Sequence, residues 1–193
     1  MRSVFVTALV FSFSLALIPV VQAKEVSSLP DSVLQAAQLY RQSQSGFMLP
    51  TRLVIPSMHI DTSIESSGLA PTGAVAVPAG PANVTWFNKG VRPGQIGTAI
   101  IVGHYGWKDN IQAAFNNLHT IQVGDKIYVQ DAISGVSVFV VTKTRLYSAK
   151  ANVPDVFTSS SGAHLNLITC AGVWDALAQS YTQRLVVFAE RAS

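Results

Sequence analysis

The sequence predicts an all-β domain after Pro50, in the form of a closed barrel of eight strands. Three observations favour this fold: the apolar stretches are short and rich in Val and Ile, Gly and Pro separate them, and turn residues such as Gly124-Asp125 lie between them. Eight strands suffice to close a small barrel around a side-chain core. The candidate strands are residues 52–55, 60–65, 74–77, 98–103, 126–130, 137–146, 165–169 and 185–190.

One or two short helices are expected among the strands. Ile111, Ala114, Phe115 and Leu118 recur at helical spacing, which predicts one or two helical turns around residues 111–118. The remaining secondary structure of this part of the chain is predicted to be strand and turn.

The amino terminus has the pattern of an export segment that precedes the fold. Met1-Arg2-Ser3 is followed by an uncharged, mostly apolar run over residues 4–21. The run reaches the lower end of the length that spans a bilayer, whereas Val21-Gln22-Ala23 is typical of a signal-peptidase site. Residues 1–23 are therefore predicted to be a signal peptide or a hydrophobic membrane-anchoring helix, and both alternatives stay open.

The chain between this segment and the barrel is polar. Ser and Gln dominate residues 24–49, with a few apolar residues at loosely helical spacing. We predict a polar stalk carrying one short helix there, followed by a single barrel domain over residues 50–193.

Charge and motif content exclude several functional classes. Only 12% of the residues are charged, the formal net charge is +3, and Lys and Arg occur singly, so we predict no nucleic-acid partner. The chain has no Cys-x-x-Cys or His-Glu-x-x-His spacing and no glycine-rich phosphate loop. We therefore predict that it uses neither a metal ion nor an organic cofactor.

Cys170 is the single cysteine and the candidate nucleophile. It ends the apolar stretch 165–169 and precedes Ala171-Gly172, where the chain can turn. A strand end presents its side chain at the rim of a barrel, where functional residues concentrate. An unpaired thiol in an exported protein therefore indicates nucleophilic chemistry. The alternative is that Cys170 is a small buried hydrophobic residue.

His104 and Arg184 are the candidate partners of this thiol. His104 ends the stretch 98–103, and we expect Gly103 to let the backbone bend so that the imidazole projects from the rim. Arg184 opens the last strand and lies beside Cys170 if their strands pair. An imidazolium or a guanidinium stabilises a thiolate, and a histidine can also protonate a leaving amine. The alternative for Arg184 is a solvated charge at a strand edge. The other histidines are interpreted as surface residues: His59, His119 and His164.

The segments that carry these residues resemble the sortase family of bacterial cysteine transpeptidases. The resemblance rests on the run Leu-Asn-Leu-Ile-Thr-Cys at 165–170, on the strand end Gly103-His104, on Arg184 and on the chain order His, Cys, Arg. The stretches at 53–57 and 93–97 are similar to the family's opening strand and to the turn before its histidine strand.

Some features of the sequence indicate a subclass of the family, and others differ from the usual family pattern. Compact length, Trp86-Phe87 and the run 168–172 are similar to class F or the neighbouring class E sortases. Asn166 stands where the family usually has Thr, and Tyr105-Gly106-Trp107 after the histidine is unusual. No candidate catalytic group is missing.

The resemblance implies a sortase-type barrel in which Cys170 is the nucleophile, His104 the general acid and base, and Arg184 the group that positions the substrate or the oxyanion. It also implies a peptide groove, formed in part by residues 148–163. The residues expected to bind the peptide are Thr169, Ala171, Val153 and Pro154.

The implied reaction cleaves a sorting signal of the Leu-Pro-x-Thr-Gly type between Thr and Gly through a thioacyl enzyme. The implied partners are secreted proteins with a C-terminal sorting motif and an amine acceptor such as a cell-wall precursor or a pilin lysine, with water as a further acceptor. The expected location is outside the cytoplasm, anchored in the membrane by the amino-terminal segment, or secreted if residues 1–23 are removed.

Two other interpretations of the residues stay open. One is an L,D-transpeptidase-like cell-wall enzyme, although in that family the histidine lies much nearer to the cysteine. The other is a non-catalytic, exported β-barrel that binds a peptide or glycan, in which the thiol of Cys170 is shielded and unreactive.

Overall fold

A computed structural model describes residues 30–44, 46–159 and 161–192, and it confirms the closed eight-stranded barrel. In order around the barrel the strands are β1, β2, β3, β4, β7, β8, β6 and β5. Their bounds are β1 Pro50–Ile55, β2 Ile60–Ser67, β3 Val84–Phe87, β4 Gly97–Gly103, β5 Lys126–Asp131, β6 Val136–Ser148, β7 Ala163–Asp175 and β8 Ser180–Arg191.

Most neighbouring strands are antiparallel, but two pairs run parallel. These are β2 with β3 and β4 with β7. Because β4 and β7 run in the same direction, their carboxyl ends meet at one rim of the barrel. Cys170 lies near that rim on β7, and His104 directly follows β4.

The barrel interior is filled by one apolar cluster that the alternation of the strands supplies. Leu165 and Leu167 of β7, and Leu185, Val187 and Ala189 of β8, are all at most 6% exposed and belong to this core. Successive side chains of a strand point to opposite faces. The intervening positions of β7 and β8, which include Cys170 and Arg184, therefore face away from the core.

The predicted third strand is wrong. Residues 74–77 lie in a long connection, where Val75 forms only an isolated bridge with Leu69 and Val77 is 57% exposed. The third strand is instead β3, whose Val84 and Trp86 are buried in the core. The Val-Thr-Trp-Phe sequence of β3 is β-branched and aromatic, whereas half of the 74–77 stretch is Ala, which has a lower strand propensity.

The predicted helical turns are present but displaced from the middle of residues 111–118. Two short 3₁₀ helices, Lys108–Asn110 and Leu118–Thr120, stand at the ends of this stretch, and a loop with a turn connects them. The backbone amide of Ala114 donates to Pro81 and that of Phe115 donates to His104, so these groups are not free for helical bonds. The helical spacing of the apolar residues reflects contact with the barrel instead, because Phe115 is fully buried.

Helix α1 spans Asp31–Gln44, inside the stretch predicted to be a polar stalk. The predicted signal peptide or anchor lies outside the described residues. Within residues 30–44, 46–159 and 161–192, no helix is both long enough and apolar enough to cross a membrane.

Gly103 is needed for space rather than for a bend. Its φ does not lie in the left-handed region, so the expected backbone bend is not the reason for a glycine here. A Cβ at this position would instead lie 2.5 Å from Cδ2 of Phe115. The aromatic ring thus rests directly on the backbone of the residue before His104.

We expect Gly103→Ala to lower the free energy of unfolding by about 1–3 kcal/mol, because Phe115 is fully buried and has little room to move. Urea denaturation of the full-length chain measures this change. Gly80→Ala is the matched control, since a Cβ there meets nothing within 4 Å. Equal stability of the two variants would contradict the close contact.

Candidate active site

The register between β4 and β7 brings His104 to Cys170. Paired residues of the two strands differ by 66 positions throughout, from Gly97 with Ala163 (163 − 97) to Val102 with Ile168 (168 − 102). The pairs end there, but Gly103 and Thr169, which are joined by a hydrogen bond, and then His104 and Cys170 keep the same offset (170 − 104 = 66), and the last two line one pocket. The two residues that the sequence singles out are thus lateral neighbours at the rim.

A side-chain hydrogen bond holds the register at the rim. The hydroxyl of Thr169 donates to the carbonyl oxygen of Gly103 over 2.8 Å, one position before Cys170 on one strand and one before His104 on the other. Thr169 is only 3% exposed. The bond therefore lies in a dry environment, where it is stronger than at the surface.

Arg184 stands on the other side of the cysteine. β7 and β8 do pair, and their register places Cys170 directly opposite Arg184. Directly opposed residues of an antiparallel pair project on the same face of the sheet. His104, directly after β4, and the opposed pair Cys170 and Arg184 on β7 and β8 thus lie in one row.

Backbone and ring contacts fix His104. Its Nε2 lies 3.0 Å from the carbonyl oxygen of Pro78, and its ring contacts that of Trp107 edge to face at 4.7 Å between centroids. Because a carbonyl only accepts, this contact places a hydrogen on Nε2. In the neutral ring Nδ1 is then the nitrogen that accepts a proton.

Glu65 of β2 holds the segment that supplies the Pro78 carbonyl. Its Oε2 accepts from the backbone amide of Ala79 at 3.3 Å, and its Oε1 accepts from Nδ2 of Asn83 at 2.8 Å. The connection between β2 and β3 is therefore fastened on the carboxyl side of Pro78. Sequence patterns gave no signal for this contact, since a backbone carbonyl has no side-chain signature.

The thiol and the guanidinium are both partly buried. Burial raises the pKa of Cys170, and the positive charge of Arg184 lowers it by a smaller amount. The guanidinium donates to the carbonyl oxygens of Tyr181 and Gln183 at 2.9 and 2.8 Å and to the hydroxyl of Ser180 at 3.0 Å. These bonds hold Arg184 along its own strand and keep its charge close to the sulfur.

A pocket of about 500 Å³ opens beside the thiol. Its walls include both Cys170 and His104, and aromatic residues that the sequence interpretation did not assign to the site. The lining residues are His104, Tyr105, Gly106, Trp107, Lys108, Cys170, Trp174, Gln179, Ser180 and Tyr181. The unusual Tyr105-Gly106-Trp107 run after the histidine was the available signal for this pocket.

The residues expected to bind the sorting peptide have different environments. Thr169 is buried and bonded to Gly103, so its side chain ties two strands together, and its part in the groove stays a prediction. Ala171 is half-buried and packs against the core. Val153 is half-buried and Pro154 is exposed, and both lie in the connection between β6 and β7.

Asn166 fastens that connection to the barrel. Its Nδ2 donates to the carbonyl oxygen of Val156 over 2.6 Å, and the asparagine is 3% exposed. Val156 is itself buried, at the end of the short 3₁₀ helix Pro154–Val156. The departure from Thr to Asn at position 166 therefore has a structural reason, since the longer amide reaches the connecting segment.

We expect the rate of Cys170 alkylation by iodoacetamide to rise with pH along a titration displaced to higher pH than in the urea-unfolded chain, because burial raises the thiol pKa. Arg184→Gln should displace the titration further upward, since it removes the nearby positive charge. Arg145→Gln, which removes an equal but exposed charge on β6, should leave it in place. Identical profiles for the two variants would contradict the electrostatic contact, and intact mass provides the measurement.

Comparison with known proteins agrees with this geometry. The family model described as the Sortase domain matches residues 53–192. No curated protein matches the chain. The family match sets aside the L,D-transpeptidase interpretation.

Solved sortase structures share the fold. The structure titled "Sortase C1 of GBS Pilus Island 1" is 21% identical with a TM-score of 0.55, and the match covers 74% of this chain and 65% of that one. The pilus-related sortase C of group B Streptococcus is 16% identical with a TM-score of 0.58, and the match covers 86% of this chain and 93% of that one. Sortase A from Corynebacterium diphtheriae is 19% identical with a TM-score of 0.58, and the match covers 84% of each chain.

These named structures are of sortases A and C, so the likeness to class F or class E stays a prediction. At identities of 16–21% the structural likeness shows the fold. The family match extends over more than half of the residues and includes His104, Cys170 and Arg184. The chain belongs to the sortase family of cysteine transpeptidases.

Proposed function

We propose that this chain cleaves a sorting signal of the Leu-Pro-x-Thr-Gly type between Thr and Gly and transfers the acyl part to an amine or to water. The observation that carries the proposal is the row of His104, Cys170 and Arg184 at one rim of a sortase barrel. Nucleophile, proton carrier and fixed positive charge are the three groups that acyl transfer through a thiol requires.

The first half-reaction forms a thioacyl enzyme. The sulfur of Cys170 gives its proton to His104 and attacks the carbonyl carbon of the threonine. A carbon–sulfur bond forms, the carbon–nitrogen bond to glycine breaks, and His104 returns the proton to the leaving amine. The raised pKa of the thiol means that proton transfer to His104 accompanies attack, since the free thiolate is scarce at neutral pH.

Arg184 acts on the charge that develops during this step. Attack on the carbonyl places a negative charge on its oxygen, next to the sulfur. The guanidinium lies opposite Cys170 and is held by three hydrogen bonds, so it is oriented before the reaction begins. A fixed donor of this kind stabilises an oxyanion without reorganisation in the transition state.

The acyl part of the peptide is proposed to lie along the connection between β6 and β7. This connection carries the half-buried Val153 and the exposed Pro154, and Asn166 pins it to the barrel on the amino-terminal side of Cys170. An extended peptide there would reach the sulfur with its threonine last. The preferred partners are secreted proteins with a C-terminal sorting motif.

The location follows from the amino-terminal segment. A hydrophobic helix or signal peptide over residues 1–23 would place the barrel outside the cytoplasm, where exported substrates emerge. Retention of the segment would tether the enzyme at the membrane and raise the effective concentration of membrane-bound substrates.

We expect Cys170→Ala to abolish thioacyl formation, and His104→Ala to reduce peptide cleavage by about 10²–10⁴-fold, the range for loss of a general acid and base. The assay incubates the full-length chain with a pool of Leu-Pro-x-Thr-Gly peptides and follows the intact mass and the released fragment. His164→Ala is the matched control, because this histidine lies on β7 and hydrogen-bonds the carbonyl of Ser161.

A thiol that forms no adduct and cleaves none of these peptides would overturn the proposal. It would favour the non-catalytic binding domain, for which a shielded cysteine and tolerance of Cys170→Ala are expected. Cleavage that survives His104→Ala at the level of the His164→Ala control would remove the role assigned to the histidine.

A further inference from the structure

A carboxylate lies behind the peptide group that contacts His104. The carbonyl oxygen of Pro78 accepts from Nε2 of His104 at 3.0 Å. The amide of the next residue, Ala79, donates to Oε2 of Glu65 at 3.3 Å. This carbonyl and this amide are the two polar ends of one peptide group. A single planar unit therefore links Glu65 of β2 to the imidazole of His104.

The two contacts lie on opposite edges of that peptide group. The Pro78–Ala79 bond is trans, so its C=O and its N–H point in opposite directions within one plane. A carboxylate is a strong acceptor, and a hydrogen bond at one end of a polar group strengthens the hydrogen bond at its other end. The contact of Glu65 with the N–H therefore makes the carbonyl oxygen a better acceptor for Nε2–H of His104.

Glu65 is itself oriented for this contact. Its other oxygen, Oε1, accepts from Nδ2 of Asn83 at 2.8 Å, and both residues are half-buried. Ala79 is exposed, so water competes for its amide. A carboxylate that a second hydrogen bond already holds loses less side-chain entropy when it binds that amide. Asn83 thus helps Glu65 to keep its place against solvent.

The rest of the connection between β2 and β3 is attached without Glu65. Proline has no amide hydrogen, so the peptide group that carries the Pro78 carbonyl is tied through Ala79. Three other hydrogen bonds anchor the connection on both sides of Pro78: Ala76 to the carbonyl of Gly68, Ala114 to that of Pro81, and the hydroxyl of Thr62 to that of Ala82. Loss of the carboxylate should therefore release one peptide group and leave the connection in place.

We infer that Glu65 is a positioning residue for the proposed reaction. Acting through the Pro78–Ala79 peptide group, its carboxylate keeps a hydrogen on Nε2 of His104 and fixes the ring. Nδ1 then takes the proton of the Cys170 thiol and returns it to the leaving amine, while the hydrogen on Nε2 stays in place. The inference rests on the proposed function and specifies how its proton carrier is oriented. Such orientation acts on the chemical step, so it affects kcat and leaves KM unchanged.

Two readouts of the full-length chain test this role. After labelling with ¹⁵N-histidine, ¹H–¹⁵N NMR observes the hydrogen on Nε2 of His104, and its signal is identified by its loss in His104→Ala. Cleavage of a Leu-Pro-x-Thr-Gly peptide gives kcat and KM. In Glu65→Ala we expect the Nε2–H resonance to move upfield, as a weakened hydrogen bond requires. We expect kcat to fall about tenfold with KM unchanged, the effect of losing one charge-assisted hydrogen bond.

Two further variants separate this role from general support of the connection. Glu65→Gln keeps an oxygen for the amide of Ala79, and the amide of Asn83 can turn over to accept from the new NH₂ group. We expect it to retain most of kcat and the position of the resonance. Thr62→Val is the matched control, because it removes another hydrogen bond to the same connection but none to the Pro78–Ala79 peptide group. Both readouts should keep their unmodified values in this control.

The outcomes distinguish the inference from the proposed function. An upfield shift with a lower kcat in Glu65→Ala, and neither change in Thr62→Val, supports the positioning role. An unchanged resonance or kcat in Glu65→Ala overturns it, as do equal effects of Thr62→Val. A ring hydrogen on Nδ1 in place of Nε2 in the unmodified chain overturns it whatever the variants do. If the unmodified chain cleaves no peptide, the proposed function itself fails, which is a separate result.

Discussion

The parallel register between β4 and β7 is the constraint on which the candidate site depends. Two strands that run in the same direction end at the same rim, and a constant offset of 66 positions makes His104 and Cys170 lateral neighbours there. A slip of one residue would turn every side chain of β7 to the other face and send Cys170 into the core. The buried bond from Thr169 to Gly103 holds this register at its last pair.

Two connections then converge on the histidine from outside the sheet. The segment after β2 supplies the Pro78 carbonyl to the imidazole, and the segment after β4 donates from Phe115 to the backbone carbonyl of His104. Both contacts use backbone groups, which are positioned by the fold and are insensitive to the side chain present. Strand pairing, in contrast, places Cys170 opposite Arg184, and hydrogen bonds along β8 then hold the guanidinium.

Partial burial of the Cys170 thiol has two opposing effects on its reactivity. A buried sulfur is protected and is held beside its partners, but its pKa rises and the reactive thiolate becomes scarcer. Arg184 offsets part of this effect through its charge. The carbonyl groups of Tyr181 and Gln183 hold the guanidinium in place.

Much of the fold follows from residue patterns that act locally. The end of β4 before His104 could be located because an apolar run stops there, and the barrel followed from the number of short strands. The predicted strand end at Cys170 is wrong, because β7 continues to Asp175. The third strand was wrong and the helical turns near residues 111–118 were displaced, because an Ala-Val alternation and a helical spacing each have a tertiary explanation. Which strands become neighbours is decided by long-range packing that no local pattern records.

In the candidate site, too, some features were visible in local residue patterns and others depend on long-range packing. Cys170, His104 and Arg184 were visible as isolated reactive residues, although Cys170 and Arg184 lie within β7 and β8 and not at their ends. The Pro78 carbonyl and the pocket that Trp174 and Tyr181 line with Tyr105 were not assigned, since both depend on segments that are distant in the sequence. Thr169 was visible, but the hydrogen bond that joins it to Gly103 was not.

A disulfide trap measures the central juxtaposition most directly. Lateral neighbours on adjacent strands lie within the distance that a disulfide bridges. The register predicts that His104→Cys, oxidised mildly as the full-length chain, forms an intramolecular bond with Cys170, seen as the loss of two hydrogens in intact mass. His164→Cys, six positions before Cys170 on β7 and about 20 Å away, should stay reduced. Two free thiols in the His104→Cys variant under the same conditions would contradict the register and the site built on it.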